Sequence, residues 1–328
     1  MTVTQALVGP RHHGVVRFGL ALHAASEATG LPLRQVCSPD VAGLLDTVGE
    51  GGVHLQFTDR LFGAGPEAAA DAVSALAAHH RLTVTLHDLP QPSDGEHAAR
   101  RAAAYAAVVG RSAGVAVSSH HERELLRDIG VEVSSVAVIP LPIELPAPAR
   151  RLPAQPCTIG VLGFLYPGKG HAEVIAATAG LPSHIEVHAI GEPSAGHGAL
   201  VDDLTARAAE LGRRFHVTGR VGDGDLTDVL QRVTVPVVAH THVSASGSLG
   251  SWLSAARRPL APTNRYTREV AHRNHEMLKL YAEHGLSAAI RCALDDPEST
   301  WLPEGVVPRP TPTDAASAYH DFFGRWHR

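Results

Sequence analysis

Two long stretches of this chain repeat one pattern, a short apolar run followed by a longer amphipathic segment, and a proline-dense segment lies between them. Runs of that kind separated by helices of roughly 10–15 residues indicate βαβ units and parallel sheets. In the first stretch the pattern predicts strands at 5–8, 53–57, 82–86, 114–118 and 136–139. Helices are expected at about 15–29, 66–79, 95–110 and 120–128. Pro66 suits a helix's first turn, while Gly30 and Pro32 suit a helix stop. Then prolines 140, 142, 146, 148, 153 and 156 crowd into seventeen residues. No helix or central strand tolerates that density, which marks a linker.

The alternation restarts behind the linker. Strands are expected at 158–163, 185–190, 214–217, 235–240 and 259–261, and helices at 171–179, 199–211, 226–233 and 248–256. Helical segments follow to about residue 295. An amphipathic helix at 313–326 ends the chain after a proline-rich approach, Pro303 to Pro312. The expected division is residues 1–140, a linker at 141–156, residues 157–310, and a final helix within 311–328. The fold class is α/β, two Rossmann-like domains with parallel sheets facing a cleft. Ligands are then expected at the carboxyl ends of the strands. The length, 328 residues, suits two such domains.

Composition removes several classes of function. The chain is 44% hydrophobic and 19% charged, enough apolar surface to outweigh chain entropy, so disorder is excluded as the main state. Net charge is −5 with no basic run, the wrong balance for gripping a nucleic-acid backbone. Cys37, Cys157 and Cys292 are odd in number and far apart, neither a CxxC pair nor a disulfide framework. Residues 1–13 hold no apolar core of signal-peptide length. Residues 233–256 lack formal charge, but His240, His242, Gly247, Gly250 and seven Ser or Thr suit a strand, a glycine loop and a helix start. A cytoplasmic protein with no transmembrane segment is expected.

The second domain opens with a strand and a glycine turn, Gly163-Phe-Leu-Tyr-Pro-Gly-Lys-Gly170, just before a helix. A lysine between glycines can bring its ammonium close to a phosphate beside free helix N–H groups. It also reads as a lysine closing a surface turn. It is not a P-loop, because Gly170 stands where Ser or Thr is required. Further on come His216-Val-Thr-Gly-Arg-Val-Gly222 and Ser244-Ala-Ser-Gly-Ser-Leu-Gly-Ser-Trp252, the latter running into Pro259-Leu-Ala261. In the first domain Leu82-Thr-Val-Thr-Leu-His-Asp88 ends a strand on a histidine.

Taken in order, these four segments resemble GT-B glycosyltransferases, especially the family 4 group. The resemblance implies transfer of a sugar from a nucleotide-sugar donor, UDP- or GDP-linked, to a hydroxyl-bearing or other nucleophilic acceptor. It implies retention at the anomeric carbon, no obligatory metal and no further cofactor. It implies donor contacts at Gly163, Lys169, Arg220 and Val221. At the start of the glycine-loop helix, Ser246, Gly247, Ser248 and Leu249 supply N–H groups and hydroxyls suited to a diphosphate. His87 is implied at the transferring centre with Lys169. The family's final helix returns to the first domain. One departure is clear: where the family carries two glutamates with seven residues between them, this chain has Ser244 and Trp252.

Other residues carry two readings each. His13 and Gly14, in the first strand-to-helix loop, suit an approach to the donor or simply a helix start. That loop lacks GxGxxG, which disfavours a dinucleotide. Thr58, Asp59 and Arg60 fall where an acceptor would enter, while Thr58-Asp59 also reads as a helix-capping pair, and Asp88 suits either orienting His87 or binding an acceptor hydroxyl. His87 also reads as a turn residue. The 22 histidines do not imply a metal. The pairs 12/13, 79/80 and 120/121 diverge, His240 and His242 lack a third ligand nearby, and HExxH is absent. Arg257 and Arg258 suit a helix C-terminus, where cations are favoured. The missing acids keep a second class open, a silent homologue that binds a nucleotide sugar or a partner without transfer. A sugar-nucleotide epimerase of the same architecture usually needs more acidic groups.

Overall fold

The structure is a computed structural model that describes residues 3–49, 51–151 and 157–327. It divides into two compact units, one made of residues 1–142 and 310–328, the other of residues 143–309. Pro153 and Pro156 of the expected linker lie outside the described residues. Residues 143–151 pack with the second unit. Ile143 sits in its core, and the Ala147 and Arg150 amides donate to Ser254 and Gln231.

The first unit runs β1 (Val3–Val8), α1 (Gly14–Ala28), β2 (Leu33–Ser38), α2 (Val41–Thr47), β3 (Gly52–Phe57), α3 (Asp59–Phe62), α4 (Pro66–Ala77), β4 (Arg81–Leu86), α5 (Ala98–Arg111), β5 (Gly114–Val117), α6 (His120–Asp128) and β6 (Ala137–Val138). Its six strands are all parallel, in the order β2-β1-β3-β4-β5-β6. Strands covered on both faces bury nearly every residue, which is why β1, β3 and β5 read as unbroken buried runs. The second unit runs β7 (Thr158–Leu162), α7 (His171–Ala177), β8 (Glu186–Ile190), α8 (Ala199–Glu210), β9 (Phe215–Val217), α9 (Asp223–Arg232), β10 (Val235–Val237), α10 (Gly247–Ser254), β11 (Leu260–Pro262), α11 (Arg265–Arg273), β12 (Lys279–Tyr281) and α12 (Leu286–Asp295). Its parallel order is β12-β11-β10-β7-β8-β9.

The last helix, α13 (Pro312–Trp326), packs on the first unit. Ala316, Tyr319, Phe322 and Phe323 join Val3, Leu22 and Ala116 in one apolar cluster. Thr311 caps it, reciprocated by Asp314, with Pro312 in the first turn.

Four elements go beyond the sequence expectations: β2, α2, α3 and β12. β2 is an edge strand of mixed exposure with Arg34 and Gln35 in its middle, so it lacks the apolar run of its neighbours. α3 is a single turn of four residues. α5 begins at Ala98 and not near residue 95, because Gly95 sits at φ 59 inside a 3-10 turn spanning Pro92–His97. α9 starts three residues earlier than expected, with Asp223 and Asp225 in its first turn, where carboxylates favour the helix dipole. No helix among the described residues is long and apolar enough to cross a membrane.

Candidate functional site

In each sheet the strand order reverses at one place. The first unit reverses at β1 and β3, the second at β7 and β10. In open parallel sheets ligands bind beyond the carboxyl ends of the strands at such switch points. The sequence-expected residues distribute over both.

In the second unit Lys169 follows β7 and reaches across the switch point. Its Nζ lies 2.7 Å from His240 Nε2, just past β10, and 3.3 Å from Ser248 Oγ in the first turn of α10. Glycines make this turn possible. Gly163 has φ +117, and a Cβ there would stand 2.8 Å from Lys169 Nζ. Gly170 has φ +97, and its Cβ would strike the Ala239 carbonyl. Ser246 caps α10 by accepting from the Leu249 amide and lies 3.1 Å from Ser248 Oγ. Gly247 opens the helix with no packing demand on its missing side chain.

This cluster is rich in basic groups. Lys169 is 6% exposed, and burial pulls its ammonium down to about 7. His171, at the start of α7, is held down to about 3 by burial and then by Lys169, and neither ring nitrogen has a hydrogen-bond partner. His240 is held well below its ordinary range by burial, then by Lys169 and His171. His240 meets Lys169 through Nε2, and its Nδ1 is buried without a hydrogen-bond partner. Sequence reasoning did not select His171 or His240 for this site. The signal for His240 was its place after an apolar strand. His240 is buried and His242 exposed.

Arg220 and Val221 follow the edge strand β9. Arg220 is exposed, and Val221 packs against the core cluster under α10. Trp252 is fully buried in that same cluster, and its indole N–H has no partner. Ser244 is also buried. Arg257 turns inward and not toward a ligand. It donates to the Leu230, Gln231, Val233 and Thr234 carbonyls around the end of α9 and stacks 4.1 Å from the Trp301 ring.

In the first unit, His13 caps α1 through Nδ1, which accepts from the Val15 amide. Its imidazole is pulled down by burial, against the opposing pull of Asp88, with smaller downward contributions from His12 and Arg60. A Cβ on Gly14 would meet nothing. His87 follows β4, is buried, and is held down to about 3 by burial and then by His13. Asp88 comes next with φ 51, a left-handed conformation that costs a non-glycine residue roughly 1–3 kcal/mol.

Arg101 of α5 explains how that conformation is held. Its Nη2 donates to the Asp88 carbonyl at 2.6 Å, and Tyr105 Oη donates to the His87 carbonyl at 2.6 Å. Arg101 also binds both oxygens of Asp59, at 2.9 and 3.0 Å, and Asp94 Oδ2 at 2.6 Å. Asp59 is thus a buried partner of Arg101 rather than an exposed carboxylate, and Thr58 is buried beside it. Asp88 keeps a half-exposed carboxylate, 3.5 Å from the exposed Arg60. Among the described residues no cluster of side chains has the makings of a metal site.

No family model matches the chain, and no curated protein matches it by sequence. Solved structures do match. HepE from Anabaena, in complex with UDP-glucose, is similar at TM-score 0.72 and 14% identity, over 99% of this chain and 96% of that one. Sucrose-phosphate synthase from Thermosynechococcus elongatus is similar at 0.71 and 15%, over 99% and 95%. The lipopolysaccharide outer core galactosyltransferase WaaB is similar at 0.62 and 12%, over 99% of both chains. The likeness spans essentially the whole chain, and the fold is that of the GT-B glycosyltransferases, two Rossmann-like units with parallel sheets.

Proposed function

We propose that this protein is a glycosyltransferase that moves a sugar from a UDP- or GDP-linked donor to a hydroxyl-bearing acceptor, with retention and without an obligatory metal. One observation carries the reading. A buried lysine, two buried histidines and a serine-capped helix start converge on the switch point of the second sheet, and no carboxylate neutralises them in the hydrogen bonds described. A diphosphate is the complementary ligand, since it supplies the negative charge that Lys169 lacks and acceptor oxygens for the donors around it. The HepE structures of the same fold hold UDP, UDP with glucose, and UDP-glucose.

In this reading the bond from the anomeric carbon to the diphosphate breaks and a bond to the acceptor oxygen forms. Negative charge builds on the leaving diphosphate, and one of its oxygens takes up the proton that the acceptor hydroxyl loses. Lys169 and the amides from Ser246 to Leu249 stabilise that charge electrostatically. Gly163 gives the lysine room, and Arg220 and Val221 stand toward the nucleotide. In the first unit His87 meets the transferred sugar, His13 and Gly14 flank it, and Asp88 receives the acceptor. Asp59 and Thr58 act behind Asp88, through Arg101.

Calorimetry with UDP, GDP and ADP, followed by an assay for nucleoside diphosphate release from the matching sugar nucleotides, tests this. Binding with release that rises with acceptor supports transfer, and His87→Ala then lowers kcat while nucleotide affinity holds. A second reading rests on Ser244 and Trp252, where acids are missing and the indole lies in the core. Tight nucleotide binding with no release from any sugar nucleotide supports that silent binder. No binding at all rejects both.

A further inference from the structure

Four buried side-chain and backbone groups in the first unit form a chain of hydrogen bonds whose direction is fixed by chemistry. It begins at the Gly19 carbonyl of α1, which only accepts. Gln5 Nε2 donates to it at 2.8 Å, so Gln5 Oε1 faces β3. Gln56 Nε2 donates to that oxygen at 3.0 Å, which turns Gln56 Oε1 toward β4. His87 Nε2 lies 2.8 Å from Gln56 Oε1. An amide oxygen cannot donate, so the proton of this bond belongs to His87 Nε2.

The arrangement is built in and does not look incidental. Gln5 and Gln56 are fully buried on strands whose neighbours are mostly apolar, where apolar side chains would pack at lower desolvation cost. Gly19 lets α1 approach closely enough for Gln5 to reach its carbonyl, because a Cβ there would stand 2.3 Å from Leu7 Cδ2. The Phe18 ring meets the His87 ring edge-on at 5.4 Å and limits its rotation. The imidazole is neutral, so it carries one proton, and that proton is committed to Nε2.

We propose that Gln5 and Gln56 are positioning residues that lock His87 as the Nε2-protonated neutral imidazole, so that Nδ1 meets the substrate as a hydrogen-bond acceptor. The group it takes is a hydroxyl that donates, not a phosphate oxygen, and His87 does not serve as an acid. This rests on the reading of His87 as the residue that meets the transferred sugar. A mis-set tautomer would present an N–H to the same hydroxyl and leave Gln56 Oε1 facing a lone pair.

The test separates the relay from the transferase reading. Two-bond proton–nitrogen spectra of protein labelled with ¹⁵N-histidine report the tautomer, and the His87 signals are identified by their loss in His87→Gln. The expected wild-type state is protonated Nε2 with a bare Nδ1 at neutral pH. Gln56→Met should shift His87 toward the Nδ1-protonated form and lower kcat roughly tenfold or more, with UDP affinity within twofold of wild type. Gln5→Met should shift it less, since Gln56 remains. A wild-type His87 protonated on Nδ1 overturns the proposal, as does Gln56→Met with unchanged tautomer and kcat. If Gln56→Met does not fold, the wild-type spectrum and Gln5→Met decide the relay. If no sugar nucleotide is turned over, the transferase reading fails while the spectra still decide it.

Discussion

In the first unit the buried polar groups along β1, β3 and β4 are largely matched to one another. His54 sits between Thr83 and Thr85 at 3.0 Å on each side, Thr85 meets Tyr319 of α13, and Gln5, Gln56 and His87 form their own row. Asp59 and Arg101 share a two-pronged ion pair. In the second unit the equivalent end of the sheet holds His171 with both nitrogens unpartnered, His240 with one, and Lys169 with only a histidine and a serine. The sheets are built on the same plan, but their switch points are finished differently. A matched network fixes geometry in advance, while an unmatched cluster of bases is held at a cost in stability and gains when an anion arrives. The first suits orientation of neutral hydroxyls and the second suits charge.

The largest expected effect is on the matched side. Arg101→Met leaves Asp59 buried without its cation and frees the Asp88 carbonyl, so stability should fall by roughly 3–5 kcal/mol. Urea unfolding measures it. Adding Asp59→Asn should recover part of the loss, because the stranded charge is then gone. A loss under about 1 kcal/mol would mean the pair matters no more than an exposed one, and the contrast between the units would weaken.

Lys169→Met should behave in the opposite way. Removing a buried ammonium that has no carboxylate partner should leave stability unchanged or slightly raised. UDP affinity should fall roughly tenfold to a hundredfold, the worth of a charge-assisted contact. Calorimetry and urea unfolding on the same variant give both numbers. A variant that loses stability but keeps its affinity would place Lys169 in the architecture and out of the site.

Much of this architecture was legible in the sequence, for a definite reason. β3, β4 and β7 are covered on both faces and therefore appear as short runs rich in Val, Leu, Ile and Thr with almost no charge, and α13 announces itself by Pro312 and its amphipathic spacing. β2 and β12 were not legible, because edge strands of mixed exposure carry no such run. At the site, Lys169 was legible from its flanking glycines. Its contact with His240 joins residues 71 apart in sequence, which local pattern does not encode. Asp59 was legible as a polar strand-end residue, but Arg101, on a helix 42 residues later, decides what that carboxylate does. Gln5 and Gln56 were not singled out, because a glutamine within a short buried strand does not show in sequence which partners it meets.

Proton linkage sharpens the comparison further. His87 has a folded value near 3 and His54 one well below its ordinary range, against about 6.5 for an unfolded histidine. From pH 6.5 downward the unfolded chain takes up protons that the folded sites refuse, so stability falls toward pH 3. His171 adds to this limb from the second unit. The alkaline side differs. Lys169 has a folded value near 7 against 10.5 unfolded, so stability should rise as pH climbs through that window. Lys169→Met should flatten the alkaline rise and leave the acid limb in place. Urea midpoints at pH 5, 7 and 9 test both, and an alkaline rise that survives Lys169→Met would assign it to another group.

The smallest effect is expected at Trp252. Its side chain is fully buried among Leu249, Leu253 and Tyr266, and its indole N–H has no partner, so no hydrogen bond is lost when the ring is exchanged. Trp252→Phe should therefore cost about 1–2 kcal/mol, from ring volume alone, and leave nucleotide affinity unchanged. A carboxylate in its place would be desolvated in the same cluster, which is why Ser244→Glu with Trp252→Glu should not restore an ordinary transferase. In the proposed reading the start of α10 binds the diphosphate without help from that helix's buried face. Measured UDP affinity that falls tenfold in a folded Trp252→Phe would show the indole taking part in binding. A double glutamate variant that stays folded and gains robust transfer would show a damaged standard site instead.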